Sequence, residues 1–146
     1  MIAKLLLAFA LFAGAPFARD ARAADEGRLV LVASVNSPIA TLSPADVRRL
    51  YLGIPLTHGG REIVALRNAV DSTVKEMFLQ HVLFMSAQAY ERQISARLYR
   101  TGGNRIPEHH ELRSLLDVLA AEPLAVTYMQ ADAAARQPAV KILAEL

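Results

Sequence analysis

Leu42-Ser43-Pro44-Ala45-Asp46-Val47-Arg48-Arg49-Leu50-Tyr51-Leu52-Gly53, followed by Ile63-Val64-Ala65-Leu66-Arg67 and then by Asp71-Ser72-Thr73-Val74-Lys75-Glu76-Met77-Phe78, decides the fold of this chain. Ser43 reads as a helix cap, with Pro44 at the first helical position, where its missing N–H costs nothing. Asp46 follows three residues after Ser43, close to a capping box. Val47, Leu50 and Tyr51 share one apolar helical face. Gly53 ends the helix and Pro55 prevents its return. Arg48 and Arg49 fall on other faces and are expected in solvent. The apolar run Glu62–Leu66 reads as a buried strand that delivers Arg67 to the start of a second capped helix at Asp71 or Ser72. A guanidinium beside a helix N-terminus is a physically sensible place to hold an anion.

Working outward, Arg28–Ser34 is a near-continuous apolar run rich in β-branched residues, expected as a strand covered on both faces. Val74, Met77, Phe78, Val82 and Met85, with His81 on the same stripe, form the inner face of the second helix. Ser86 caps a third helix with Tyr90, Ile94 and Leu98 inward. Thr101-Gly102-Gly103-Asn104 is a turn closed by Pro107, and a fourth helix turns Leu112, Leu115, Leu116 and Leu119 inward until Glu122-Pro123. Leu124–Tyr128 and Ala139–Leu143 read as further strands, with a short helix over Gln130–Arg136 between them. Strands alternating with helices predict an α/β fold, a largely parallel sheet flanked by helices.

The N-terminal stretch is expected to be a signal peptide over residues 1–23. A basic start at Lys4 precedes an apolar run, Leu5 to Ala18, too short to span a bilayer, and Ala21-Arg22-Ala23 predicts a cut between Ala23 and Ala24. The remaining 24–146 form one domain, periplasmic or secreted, with no membrane span after cleavage. The whole chain carries 16 Lys+Arg and 14 Asp+Glu. Residues 1–23 hold three of the former (Lys4, Arg19, Arg22) and one of the latter (Asp20), so cleavage leaves 13 of each. The precursor pI of about 9.2 is therefore in part a property of the leader, and a nucleic-acid partner is not expected. There is no cysteine, which excludes thiol chemistry, Cys-based zinc sites and a lipid-anchoring cysteine, and leaves stability to packing.

No Ser-His-Asp order, nucleophile elbow or P-loop is visible, so no enzyme and no cofactor are predicted. His109 and His110 are adjacent, pointing about 100° apart on a helix, a poor chelating pair. The candidate site residues are Arg67 as a bidentate donor, Asp71, Ser72 and Thr73 at the helix start, and Ser37 or its neighbour Asn36 in the loop after the first strand. The competing reading has Arg67 paired with Asp71 or another carboxylate, and the helix-start residues acting only as caps.

The order of the Leu42–Gly53 helix, the strand ending in Arg67 and the helix opening at Asp71-Ser72-Thr73 resembles the phosphate-binding proteins of ABC importers and their shorter relatives, over roughly Leu29 to Tyr128. The resemblance implies a single lobe of a type II periplasmic-binding-protein-like fold. It implies an exported substrate-binding-protein-like module that holds phosphate or a related oxyanion, weakly or within a partner complex. The alternative is a ligand-free interaction or scaffold module serving a membrane transporter or sensor protein. The chain departs from the family where relatives place Ser-Gly-Thr. Asp71 stands in place of the serine, and a carboxylate there repels a dianion. Ser72 replaces the glycine and limits backbone approach. The family's tryptophans are missing, and Leu124-Ala125-Val126-Thr127-Tyr128 lacks the two glycines of the Gly-x-Ile-Gly-Tyr pattern.

Overall fold

The computed structural model describes residues 27–146. The signal-peptide reading of residues 1–23, and the cut before Ala24, lie outside the described residues. In chain order the elements are strand β1 (Leu29–Ser34), helix α1 (Pro44–Tyr51), strands β2 (Thr57–His58), β3 (Arg61–Glu62), β4 (Val64–Ala65) and β5 (Arg67–Asn68), helices α2 (Ser72–His81) and α3 (Ala87–Thr101), strand β6 (Glu108–His109), helix α4 (Leu112–Ala121), strand β7 (Ala125–Gln130), helix α5 (Ala131–Ala135) and strand β8 (Val140–Glu145).

The expected run of alternating strands and helices is present, but the sheet is not mostly parallel. Its order is β4-β7-β1-β8. β1 is antiparallel to both β7 and β8, and β4 alone runs parallel to β7. The parallel expectation assumed that each helix crosses over to a strand of the same sense. Instead β1 sits between two strands from the far end of the chain. A bulge on β8 opposite Leu31/Val32 interrupts the β1–β8 register. The apolar stretch before Arg67 is likewise not one strand. β4 pairs with β7, whereas β5 leaves that sheet and pairs in parallel with β6, Arg67 opposite Glu108.

β1 is buried along its whole length because its alternating side chains serve two cores. Leu29, Leu31 and Ala33 face a cluster with Val47 and Leu50 of α1, Val74, Phe78 and Leu79 of α2 and Ile94 of α3. Val30 and Val32 face Leu115 and Leu119 of α4 and Ala131 and Ala134 of α5. Each fully buried valine, leucine, isoleucine or phenylalanine here contributes about 1.5–3 kcal/mol. Leu112, expected inward on α4, is 39% exposed, and His81 is exposed as well.

Three rings tie the first core together. Phe78 stacks on Tyr128 at 3.8 Å, and Tyr51 meets Phe78 edge-on at 4.7 Å. Each buried phenol finds an acceptor, as buried tyrosines must. Tyr51 donates to the Leu66 carbonyl at 3.0 Å, Tyr90 to the Tyr51 carbonyl at 2.7 Å and Tyr128 to the Asn68 carbonyl at 3.0 Å. These bonds hold the β4–β5 segment against α1 and β7 and so fix where Arg67 leaves the sheet.

Candidate functional site

Arg67 is delivered as the sequence predicts, at a strand end before a capped helix, but its guanidinium turns to carboxylates of its own chain. Its backbone N–H donates to the Pro107 carbonyl at 2.8 Å. Its Nη2 lies 3.0 Å from Glu91 Oε1 on α3 and 2.8 Å from Glu108 Oε2 on β6. The guanidinium stacks over the Tyr90 ring, 4.9 Å from its centroid. The side chain is only 11% exposed. Arg105 binds the other oxygen of Glu91 at 2.8 Å, and Lys75 reaches both oxygens of Glu108 at 3.1 and 3.2 Å. His110 Nε2 stands 3.4 Å from Glu108 Oε1.

Three cations and two carboxylates thus form a network in which Arg67 Nη2 is shared between Glu91 and Glu108. Such a closed set is stable as a unit and costly to break from one side. Burial pushes the Glu91 carboxyl up, but Arg105 and Arg67 together outweigh it and hold the group below its ordinary 4.5. Burial raises the Tyr90 phenol to about 12 against the opposing pull of Arg67. Desolvation likewise raises the phenols of Tyr51 and Tyr128. These tyrosines remain neutral donors rather than bases.

The start of α2 is filled from within too. Asp71 is its N-cap, and Oδ1 accepts from Thr73 N at 2.8 Å and Val74 N at 3.4 Å. A carboxylate at the positive end of a helix satisfies the amides and dipole that an oxyanion would otherwise engage. Ser72 and Thr73 are exposed. Ser37 is buried in the turn after β1, where its Oγ accepts from Ile39 N at 3.3 Å and its carbonyl accepts from Lys141 Nζ at 2.7 Å. Asp71, Ser72 and Thr73 therefore share one helix start. Among the described residues no hydrogen bond or ion pair joins Arg67 or Ser37 to them.

A cavity of about 190 Å³ does open beside Asp71, against Asn68, Leu112, Met129 and Arg136. Asn68 donates from Nδ2 to the Tyr128 carbonyl at 2.9 Å and accepts from Val70 N at 3.0 Å. The cation at this cavity is Arg136, whose Nη1 lies 3.2 Å from Asp132 Oδ2. Sequence reasoning passed over Arg136, as it passed over Glu91 and Glu108. Arg136 follows a short alanine-rich helix with no local motif, and the two glutamates come from distant elements. Arg48, expected in solvent, donates to the Val82 carbonyl at 3.0 Å and stacks over the exposed Phe84 ring at 4.8 Å. Among the described residues no group of three or more His, Asp or Glu is placed to hold a metal ion.

No family model matches the sequence, and no curated protein matches it. Among solved structures, the chain is similar to the crystal structure of an ABC-type phosphate transport receptor from Vibrio cholerae, with a TM-score of 0.54 at 12% sequence identity. The similarity covers 80% of this chain and 45% of the receptor, so the chain spans less than half of that protein's length. At this identity the likeness is one of fold. The neighbour is a transport receptor and not an enzyme.

Proposed function

We propose that this chain is an exported, substrate-binding-protein-like interaction module: one lobe of a type II periplasmic-binding-protein-like fold that serves a membrane transport or sensor protein and takes no free ligand at the inherited anion position. The carrying observation is that both groups suited to an oxyanion are occupied internally, Arg67 by Glu91 and Glu108 and the α2 amides by Asp71. Export rests on the leader-like N-terminal sequence, and a periplasmic or secreted location follows from it. The apolar side chains Val70 and Leu112, 40% and 39% exposed beside Asp71, give a partner something to cover on the face where a ligand would lie. Among the described residues no helix is long and apolar enough to cross a membrane.

The second reading, weak binding of phosphate or a related oxyanion, is favoured by the fold likeness to a phosphate receptor. Calorimetric titration of the mature protein with inorganic phosphate separates the two. The interaction reading expects no saturable heat from wild type. Saturable heat that tightens in Asp71→Ser, where a repelling carboxylate is removed, establishes the oxyanion reading instead. Light scattering and cross-linking on intact cells complete the test, since a strict monomer that cross-links to no membrane protein removes the interaction reading.

A further inference from the structure

A cavity of about 370 Å³ lies away from Arg67 and Asp71, between the turn that ends α1, the hairpin strand β3 and the C-terminal half of α3. A neighbouring hollow of about 170 Å³ shares Gly53, Pro55, Glu62 and Ile106 with it, so the two form one continuous groove. The volume falls within the range of small-molecule sites. Its apolar wall is Ile94, Leu98 and Ile106, and its charged groups are Arg97 and Glu62.

Arg97 is held in place by the α1 turn. Its Nε donates to the Gly53 carbonyl at 2.9 Å. A Cβ at position 53 would stand 3.0 Å from Arg97 Cδ, so the stem passes tight against this turn, where φ +83° itself favours glycine. Both Nη groups are left without a protein acceptor among the described residues, as is the Glu62 carboxylate without a donor. Both residues line the cavity, Arg97 half-buried and Glu62 exposed, and no ion pair joins them. A guanidinium fixed at Nε with its outer fork free is prearranged for a carboxylate.

We propose that this groove binds a small zwitterion with an apolar side chain, that is, a free apolar α-amino acid. Its carboxylate lies on the Nη groups of Arg97, its ammonium on Glu62 and its side chain against Ile94, Leu98 and Ile106. The two opposite charges account for both ends of the ligand, and the apolar wall accounts for its body. This site is separate from the anion position near Asp71 and does not rest on the function proposed above.

The test is an NMR titration of the full mature chain with L-leucine, N-acetyl-leucine and leucine amide. Leucine is expected to saturate, with shifts centred on Gly53, Ile94 and Gly102. Capping either end is expected to weaken binding roughly ten-fold or more, the loss of one charge-assisted contact. Glu62→Gln is expected to erase the preference for leucine over its N-acetyl form, and Arg97→Gln the preference over its amide. Leu98→Trp, which fills the groove, is expected to abolish binding while the spectrum stays folded. Absence of saturation by leucine, equal shifts from all three compounds, or unchanged preferences in both charge variants overturns the proposal. Inorganic phosphate is titrated in parallel and read by position: shifts confined to residues 71–74 bear on the anion reading, and leucine shifts at Gly53, Ile94 and Gly102 bear on this one, so the two readings fail separately.

Discussion

Arg67 and Arg97 carry the same side chain and meet opposite circumstances. Arg67, on β5, is almost wholly buried, touches two carboxylates and lies on an aromatic face. Arg97, on α3, is anchored by one nitrogen and keeps its outer fork in a groove. The first sits where a sequence pattern points to a ligand, yet its charge is already spent within the fold. The second has no motif around it and has bonding capacity left over. An arginine's position relative to a strand and a helix therefore says less about ligand binding than whether the chain has already answered its charge.

The comparison breaks most sharply at Arg67. Arg67→Ala leaves Glu91 and Glu108 short of their central cation. We expect a loss of about 2–3 kcal/mol in urea denaturation, below the fully buried case because both glutamates reach solvent. An unchanged midpoint would mean that the network holds nothing together. The same network predicts acid sensitivity. The folded Glu91 carboxyl lies below its ordinary 4.5, so its contribution is present above that value and is lost as pH falls through the lower folded one. Thermal midpoints are expected to drop on acidification in wild type and to drop less steeply in Glu91→Gln. An identical slope in the variant would remove Glu91 from the account.

A smaller effect belongs to the helix cap. Asp71→Ala is expected to cost about 1 kcal/mol, the usual worth of an N-cap, whereas Ser72→Ala changes little. Equal losses from both variants would show that Asp71 does not cap α2. The smallest effect is expected at Arg97. Arg97→Gln shifts stability by no more than about 1 kcal/mol, the net worth of its one bond to the Gly53 carbonyl. A loss as large as that of Arg67→Ala would mean that Arg97 is a structural member like its counterpart.

Local chemistry was legible in the sequence, and distant pairing was not. Ser43-Pro44-Ala45-Asp46 announced α1, and Ser43 Oγ does accept from Asp46 N at 3.1 Å. The unbroken apolar run of β1 announced a strand covered on both faces, and its two sets of alternating residues divide between two cores. The direction of that strand's neighbours was hidden, since periodicity carries no information about the sense of a strand from the chain's other end. The partners of Arg67 were hidden for the same reason. Glu91 rides on a helix and Glu108 on a two-residue strand, and only the β5–β6 pairing brings Glu108 opposite Arg67. The break between Ala65 and Arg67 was also beyond pattern reading, because an apolar run looks the same whether it stays in one sheet or crosses to another.

The ring cluster of Tyr51, Phe78 and Tyr128 has a spectroscopic consequence. The chain holds four tyrosines and no tryptophan. Three of the four are buried, and Tyr99 alone lies 93% exposed. Near-ultraviolet circular dichroism therefore arises chiefly from phenols locked beside one another, with Tyr99 contributing a freely rotating background. Loosening of α1, α2 or β7 will extinguish that signal even where far-ultraviolet helicity survives, so the protein carries its own optical gauge of side-chain order in its first core.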